Sequence, residues 1–158
     1  MTGHLKGNSI NIVIRPMIRS DISRIVLIEN MIFSDPWPTA AFEEELDRMG
    51  RGIIVAETDG VVAGYAGYIV GAGESHLTNM GVAPEYQRKS VAKILLNGIL
   101  EIADRAECDY IFLDVRPSNT AALNLYGKFG FTQLYRRPGY YRFPDEDAVV
   151  MIKTLGNE

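Results

Sequence analysis

Two periods of apolar spacing alternate along this chain. Ile22, Ile25, Ile28 and Ile32 recur at helical intervals, with Val26 and Leu27 widening the stripe, and Ser20 or Asp21 stands where an N-cap is needed. Asp35-Pro36-Trp37-Pro38 breaks that helix, and Thr39 caps a second, acidic one reaching about Arg48. Val91, Leu95, Ile99 and Ile102 share one face of a long helix predicted from about Gln87 to Ala106. Ser118 or Asn119 caps a short helix carrying Ala122, Leu123, Leu125, Tyr126 and Phe129, and Gly130 suits its C′ position.

Between these stripes lie strand signals. Asn11–Arg15 is β-branched and ends at Pro16. Ile53–Glu57 and Val61–Val70 flank Thr58-Asp59-Gly60, whose Asp-Gly pair marks a hairpin. Leu77–Ala83 is the next strand. Tyr110–Val115 is nearly continuous in apolar character, which predicts a strand buried on both sides. Phe131–Tyr135 and Ala148–Leu155 follow as strands joined by a long loop. The order β-α-α-β-β-β-α-β-α-β-β describes a mixed α+β domain. Its long helix should link two parallel strands through a right-handed crossover.

Composition narrows the function classes. At 158 residues, with 47% apolar and 23% charged, the chain suits one domain over 11–158 with a sizeable core. Residues 1–10 read as a disordered tail or a non-native extension without the apolar stretch of a signal peptide. A net charge of −4 argues against broad nucleic-acid binding. One cysteine, Cys108, permits no internal disulfide, which fits a cytoplasmic location. That cysteine and two separated histidines, His4 and His76, form no metal-ligand cluster, so no metal is expected. No apolar run approaches the roughly 20 residues of a membrane span, so no membrane partner is expected. The chain should be a monomer or homodimer.

Chemistry concentrates where a strand runs through Val82-Ala83-Pro84 into the long helix. A helix N-terminus offers unpaired N–H groups and positive dipole, and Arg88, Lys89 and Lys93 add charge there. A phosphorylated cofactor fits such a site. Asn79–Ala92, with Gln87-Arg88-Lys89-Ser90-Val91-Ala92, resembles motif A of the GNAT acetyltransferase superfamily, Gln/Arg-x-x-Gly-x-Gly/Ala. Asn119–Phe131 resembles that superfamily's N-x-x-A-x-x-L-Y-x-x-x-G-F pattern, one strand further on. Within the superfamily, Asp35-Pro36-Trp37, Leu113–Asn119 and Arg136–Tyr141 are similar to the RimI type, which acetylates protein N-termini, including that of a ribosomal protein. The first motif glycine is Ser90 here, which keeps a backbone N–H and adds a hydroxyl donor.

The resemblance implies a GNAT fold: a central mixed sheet of six to seven strands, about four helices, and a splayed parallel pair that binds CoA. It implies acetyl-CoA as cosubstrate. The N–H groups of Gln87, Arg88, Lys89, Ser90, Val91 and Ala92 would hold its diphosphate. Met80, Gly81 and Val82 would pair with its pantetheine arm, with the Val82 N–H polarising the thioester carbonyl. Asn119 would contact the cofactor from the far strand's end. Tyr126 would protonate the leaving thiolate; its other reading is a core tyrosine. Asp114 takes the place of the family's glutamate base, one methylene shorter, and would reach the amine through a water; its other reading is a structural partner of Arg116. Tyr140 and Tyr141 would hold the acceptor backbone or simply pack. Phe33 and Trp37 would line a pocket for the acceptor's first side chains or anchor their loop. The acidic run Glu43-Glu44-Glu45 with Asp47 reads as a solvated face or an attractor of basic peptides, while His76 and Cys108 receive no role.

A magnitude favours a protein N-terminus as acceptor. An α-amino group, with a pKa of about 7.7–8.0, is roughly a tenth neutral at pH 7, against ~0.04% for lysine. The difference is about 3.5 kcal/mol of deprotonation, which suits a short aspartate acting through water. A small-amine acetyltransferase (for a polyamine, amino acid or antibiotic) and a non-catalytic acyl-CoA-binding module are the alternatives.

Overall fold

The computed structural model describes residues 10–156, together with the backbone of residues 2–4. Among the described residues, eight strands form one sheet in the order β1-β2-β3-β4-β5-β6-β8-β7. They are β1 (Thr2–His4), β2 (Asn11–Pro16), β3 (Arg51–Thr58), β4 (Val61–Gly71), β5 (Glu74–Val82), β6 (Tyr110–Val115), β7 (Thr132–Tyr141) and β8 (Glu146–Thr154). The helices are α1 (Ile22–Ile32), α2 (Thr39–Glu43), α3 (Val91–Arg105) and α4 (Thr120–Lys128). The seven predicted strands are all present. Part of the expected tail adds an edge strand, pairing Thr2–His4 with Asn11–Val13. The rest of that expected tail, 5–9 and residue 1, lies outside the described residues.

Each face of the sheet carries its own core. On one, α1 and α2 bury Ile22, Ile25, Ile28 and Phe42 against Ile53, Val55 and Tyr65. On the other, α3 buries Val91, Leu95, Leu96 and Ile99 against Ile54, Ala66, Leu77, Ile111 and Leu113, and α4 adds Tyr126. All strand pairs are antiparallel except β5 and β6, which α3 connects.

Local chemistry sets the boundaries. Asp59 and Gly60 both take positive φ, +50° and +77°, as the Asp-Gly hairpin turn requires. Ala72 and Gly73 make a second such turn, which starts β5 earlier than its apolar run suggests. The helix expected from Gln87 begins only at Val91, because Arg88 and Ser90 are left-handed, both at φ +62°. The helix expected to reach Arg48 ends at Glu43. Glu45, read as part of a solvated face, is buried and paired with Arg51 at 2.5 Å. Strand β6 is not buried on both sides: Ile111, Leu113 and Val115 face the α3 core, while Tyr110 is exposed and Phe112 and Asp114 are half-buried. The expected long loop before the last strand is mostly strand, since β7 continues to Tyr141.

Candidate active site

The parallel pair comes apart at a bulge. Strands β5 and β6 are paired only from Glu74–Leu77 to Tyr110–Leu113. Tyr68 pairs with Leu77 but Gly67 with Asn79, so Thr78 is an extra residue in β5. A Cβ on Gly67 would collide with the Thr78 hydroxyl, so a glycine opposite the bulge makes room for it. Beyond Thr78, β5 stays on β4 while its other edge leaves β6.

That free edge presents backbone groups. The Ala83 N–H donates to Ala63 O at 2.8 Å, toward β4. Alternation along a strand then turns the N–H groups of Met80 and Val82 toward the gap. The Val82 carbonyl accepts from Gln87 Nε2 at 3.2 Å. At the gap's end α3 begins without a side-chain cap, Ser90 accepting through its backbone carbonyl from Ile94 at 3.1 Å. The first-turn N–H groups of Val91, Ala92 and Lys93 are therefore open to an anion. Arg88 is exposed beside them and Lys89 half-buried. The left-handed φ of Ser90 gives a second reason for a glycine at this position, because a Cβ is strained there. This combination of outward N–H groups, an uncapped helix end and basic side chains fits a diphosphate with an extended, amide-bearing arm.

Two ionisable groups lie on opposite faces of the sheet, Asp114 at the start of the gap and Tyr126 in the α3-side core. Tyr126 projects from α4 into the α3-side core, 7% exposed, with its ring against Phe131 at 5.7 Å. Burial pushes its phenol up to about 12. Among the described residues no group hydrogen-bonds to that hydroxyl. Asp114 points to the other face, opposite Leu113 and Val115, which pack in the α3 core. Among the described residues it pairs with Arg137 of β7, at 3.8 Å. The Arg116 partnership, the alternative reading of Asp114 from strand alternation, does not form. Arg116 lies just past the end of β6 and pairs with Glu146 at 3.1 Å, while donating to the carbonyls of Arg142 and Pro144.

Arg116 also lies 4.5 Å from the centre of the Tyr141 ring. Burial raises the Tyr141 phenol above its ordinary value, and the charge of Asp114 raises it further. Tyr126 acts on it in the same direction, so Tyr141, Asp114 and Tyr126 are electrostatic neighbours. Tyr140 stands edge-on to Tyr141 at 4.9 Å and is 48% exposed. Glu146 receives the Ser118 hydroxyl at 2.7 Å, which ties the β7–β8 turn to the loop before α4. That tie holds the carboxyl of Glu146 below the usual range, with the Ser118 bond as its main cause.

Other predicted residues sit at the rim. Asn119 caps α4, its Oδ1 accepting from the Ala122 N–H at 3.1 Å. Trp37 packs on Phe42 at 5.4 Å, so it does anchor the α1–α2 loop. Phe33 ends α1, half-buried. His76 stacks on Phe112 at 5.2 Å. With Glu74, Asp114, Tyr135 and Arg137 the two line a cavity of about 160 Å³ beside the base candidate. Sequence reasoning missed Glu29, a fully buried carboxylate; its signal was a polar residue seven positions after Ile22 on the α1 stripe.

The sequence profile of the Acetyltransferase (GNAT) family matches residues 22–131. The chain belongs to this family. Its members use acetyl-CoA, and the chain is accordingly an N-acetyltransferase. It is 35% identical over 153 residues to N-alpha-acetyltransferase RimI of Mycobacterium tuberculosis, covering 92% of this chain and 94% of that protein. It is 30% identical over 146 residues to the ribosomal protein bS18-alanine N-acetyltransferase of Haemophilus ducreyi, covering 90% and 100%. The crystal structure of the ribosomal-protein-S18-alanine N-acetyltransferase of Escherichia coli superposes with a TM-score of 0.84 at 26% identity, covering 93% of this chain and 97% of that one. The chain thus resembles RimI-type enzymes over most of its length. The fold agrees with the family's mixed sheet and splayed parallel pair, with β1 as an added edge strand.

Proposed function

We propose that this acetyltransferase transfers acetyl from acetyl-CoA to the α-amino group of a protein N-terminus, by direct attack in a ternary complex. The observation that carries the reading is a carboxylate at the gap, Asp114, with a buried phenol, Tyr126, on the opposite face of the sheet. The gap is a window through the sheet. An amine arriving on the Asp114 face meets a carboxylate. A thiolate leaving on the Tyr126 face meets a phenol kept protonated by its burial.

In this reading, the Val82 N–H polarises the thioester carbonyl from the free edge of β5. Asp114 takes a proton from the amine through a bridging water. As the bond from nitrogen to the acetyl carbon forms and the carbon–sulfur bond breaks, Tyr126 supplies a proton to sulfur. Met80, Gly81 and Val82 hold the pantetheine arm, and residues 87–92 hold the diphosphate. Tyr140 and Tyr141 hold the acceptor backbone, while Phe33 and Trp37 border its first side chains.

The relatives support a ribosomal protein beginning with alanine as the acceptor class, met in the cytoplasm. Half-exposed Asp114 supports the same choice, since an α-amine needs little help to lose its proton at pH 7. Thiol release should be measured with peptides beginning Ala, Ser or Met beside polyamines and amino acids. Turnover of peptides is expected. Turnover confined to small amines rejects the acceptor assignment, and tight acetyl-CoA binding without thiol release rejects catalysis.

A further inference from the structure

Glu29 stands near the end of α1, 1% exposed, and the reaction above does not use it. A carboxylate at that depth is costly unless donors surround it. Here three converge. Its Oε2 accepts the Trp37 N–H at 2.9 Å. Its Oε1 accepts Asn79 Nδ2 at 2.9 Å and the Tyr65 hydroxyl.

The donors come from different sides of the site. Trp37 lies in the α1–α2 loop between Pro36 and Pro38, which have no N–H, so it holds the sole backbone donor of that stretch. Asn79 is the first β5 residue beyond the bulge. Tyr65 runs beneath the same segment: a Cβ built on Gly81 would meet its hydroxyl at 2.5 Å. One carboxylate oxygen therefore braces the strand that leaves β6, and the other pins the loop that carries Trp37 and Phe33.

We infer that Glu29 is a positioning residue that fixes the acceptor loop against the cofactor strand. This rests on the assignment of the α1–α2 loop to the acceptor. The two oxygens make the inference separable. Glu29→Gln keeps one oxygen; turned toward Asn79 and Tyr65, where two donors meet it against one at Trp37, it sets the amide nitrogen against the Trp37 N–H, donor to donor. The loop is released while the strand stays braced. In Tyr65→Phe, the strand side loses a donor and the loop keeps its anchor.

Trp37 is the single tryptophan and reports the loop directly. The experiment pairs Trp37 emission and acrylamide quenching with steady-state kinetics. For Glu29→Gln, emission should shift to the red with greater quenching, and the acceptor KM should rise about tenfold, as expected for a lost bond to a charged group. Acetyl-CoA affinity should stay as in wild type. Tyr65→Phe should leave the emission unchanged. Unchanged emission and KM in Glu29→Gln overturn the inference. So do equal emission shifts in both variants with acetyl-CoA affinity falling in step, the mark of a softened core. If Glu29→Gln does not fold, hydrogen exchange of the Trp37 amide in wild type decides: slow exchange supports the anchor, and exchange at the free-peptide rate overturns it. A wild-type enzyme that turns over no peptide rejects the N-terminal acceptor alone, because the emission and exchange readouts need no acceptor.

Discussion

In the proposed reaction, Tyr126 and Asp114 divide the proton work because their surroundings differ. The phenol sits in the α3-side core without a hydrogen-bond partner among the described residues, and burial favours its neutral, donating form. Asp114 is half-exposed on the other face, with Arg137 at 3.8 Å and Tyr141 nearby. Replacing Tyr126 with Phe should lower kcat by about a hundredfold, the scale of one general acid, and leave acetyl-CoA affinity unchanged by calorimetry. Unchanged turnover would remove Tyr126 from the reaction. The pH profile gives an independent check. A pKa raised to about 12 keeps the donor protonated throughout the ordinary alkaline range, so the fall in rate from its ionisation belongs near that value. A loss of kcat near pH 10 that disappears in Tyr126→Phe would contradict the buried-acid assignment.

At the scale of elements, the loop from Val82 to Val91 joins strand edge to helix end. Ser90 bears both costs of not being glycine: a left-handed φ of +62° and a Cβ at the helix N-terminus. Ser90→Gly should tighten acetyl-CoA binding several-fold, measured by calorimetric titration. Weaker binding would show that the serine hydroxyl itself holds the ligand. Much of this organisation was legible from the residues. The stripes of α1 and α3, the Asp59-Gly60 turn and the spacing of the two motifs are local signals, fixed by side-chain period and turn chemistry. What escaped depends on tertiary surroundings. Apolar period does not report that Arg88 and Ser90 turn left-handed and delay α3. Strand β7 continues through Arg136–Tyr140, which is exposed throughout and so carries no inward-facing alternation. Glu45 and Glu29 are buried only because Arg51, Tyr65, Asn79 and the Trp37 backbone come to them from elsewhere in the chain. In place of the alternative Asp114–Arg116 pair stand Arg137 and Glu146, which arrive from β7 and β8.

For the whole molecule, the sheet is both scaffold and partition. One bulged residue, Thr78, starts the separation of β5 from β6, and the α3-side core holds both strands beside the opening through Leu77, Ile111, Leu113 and Val115. In the proposed reading, acceptor and cofactor have separate approaches and meet only within the gap. Cys108 is buried before the start of β6, and Asp114 lies near its other end, about 20 Å away along an extended chain. An acyl-enzyme on that thiol has no geometric basis. Double-reciprocal plots with both substrates varied should intersect, as a ternary complex requires, and parallel lines would instead demand a covalent intermediate. The identity of the acceptor group is tested most directly by mass spectrometry of a mixed library of lysine-containing peptides with free N-termini, incubated with enzyme and acetyl-CoA. The prediction is acetyl on the α-amine of a subset defined by the first residues, alanine among them, with lysine side chains untouched. Acetyl on lysine alone, or on no peptide while a small amine in the same mixture is consumed, would contradict it.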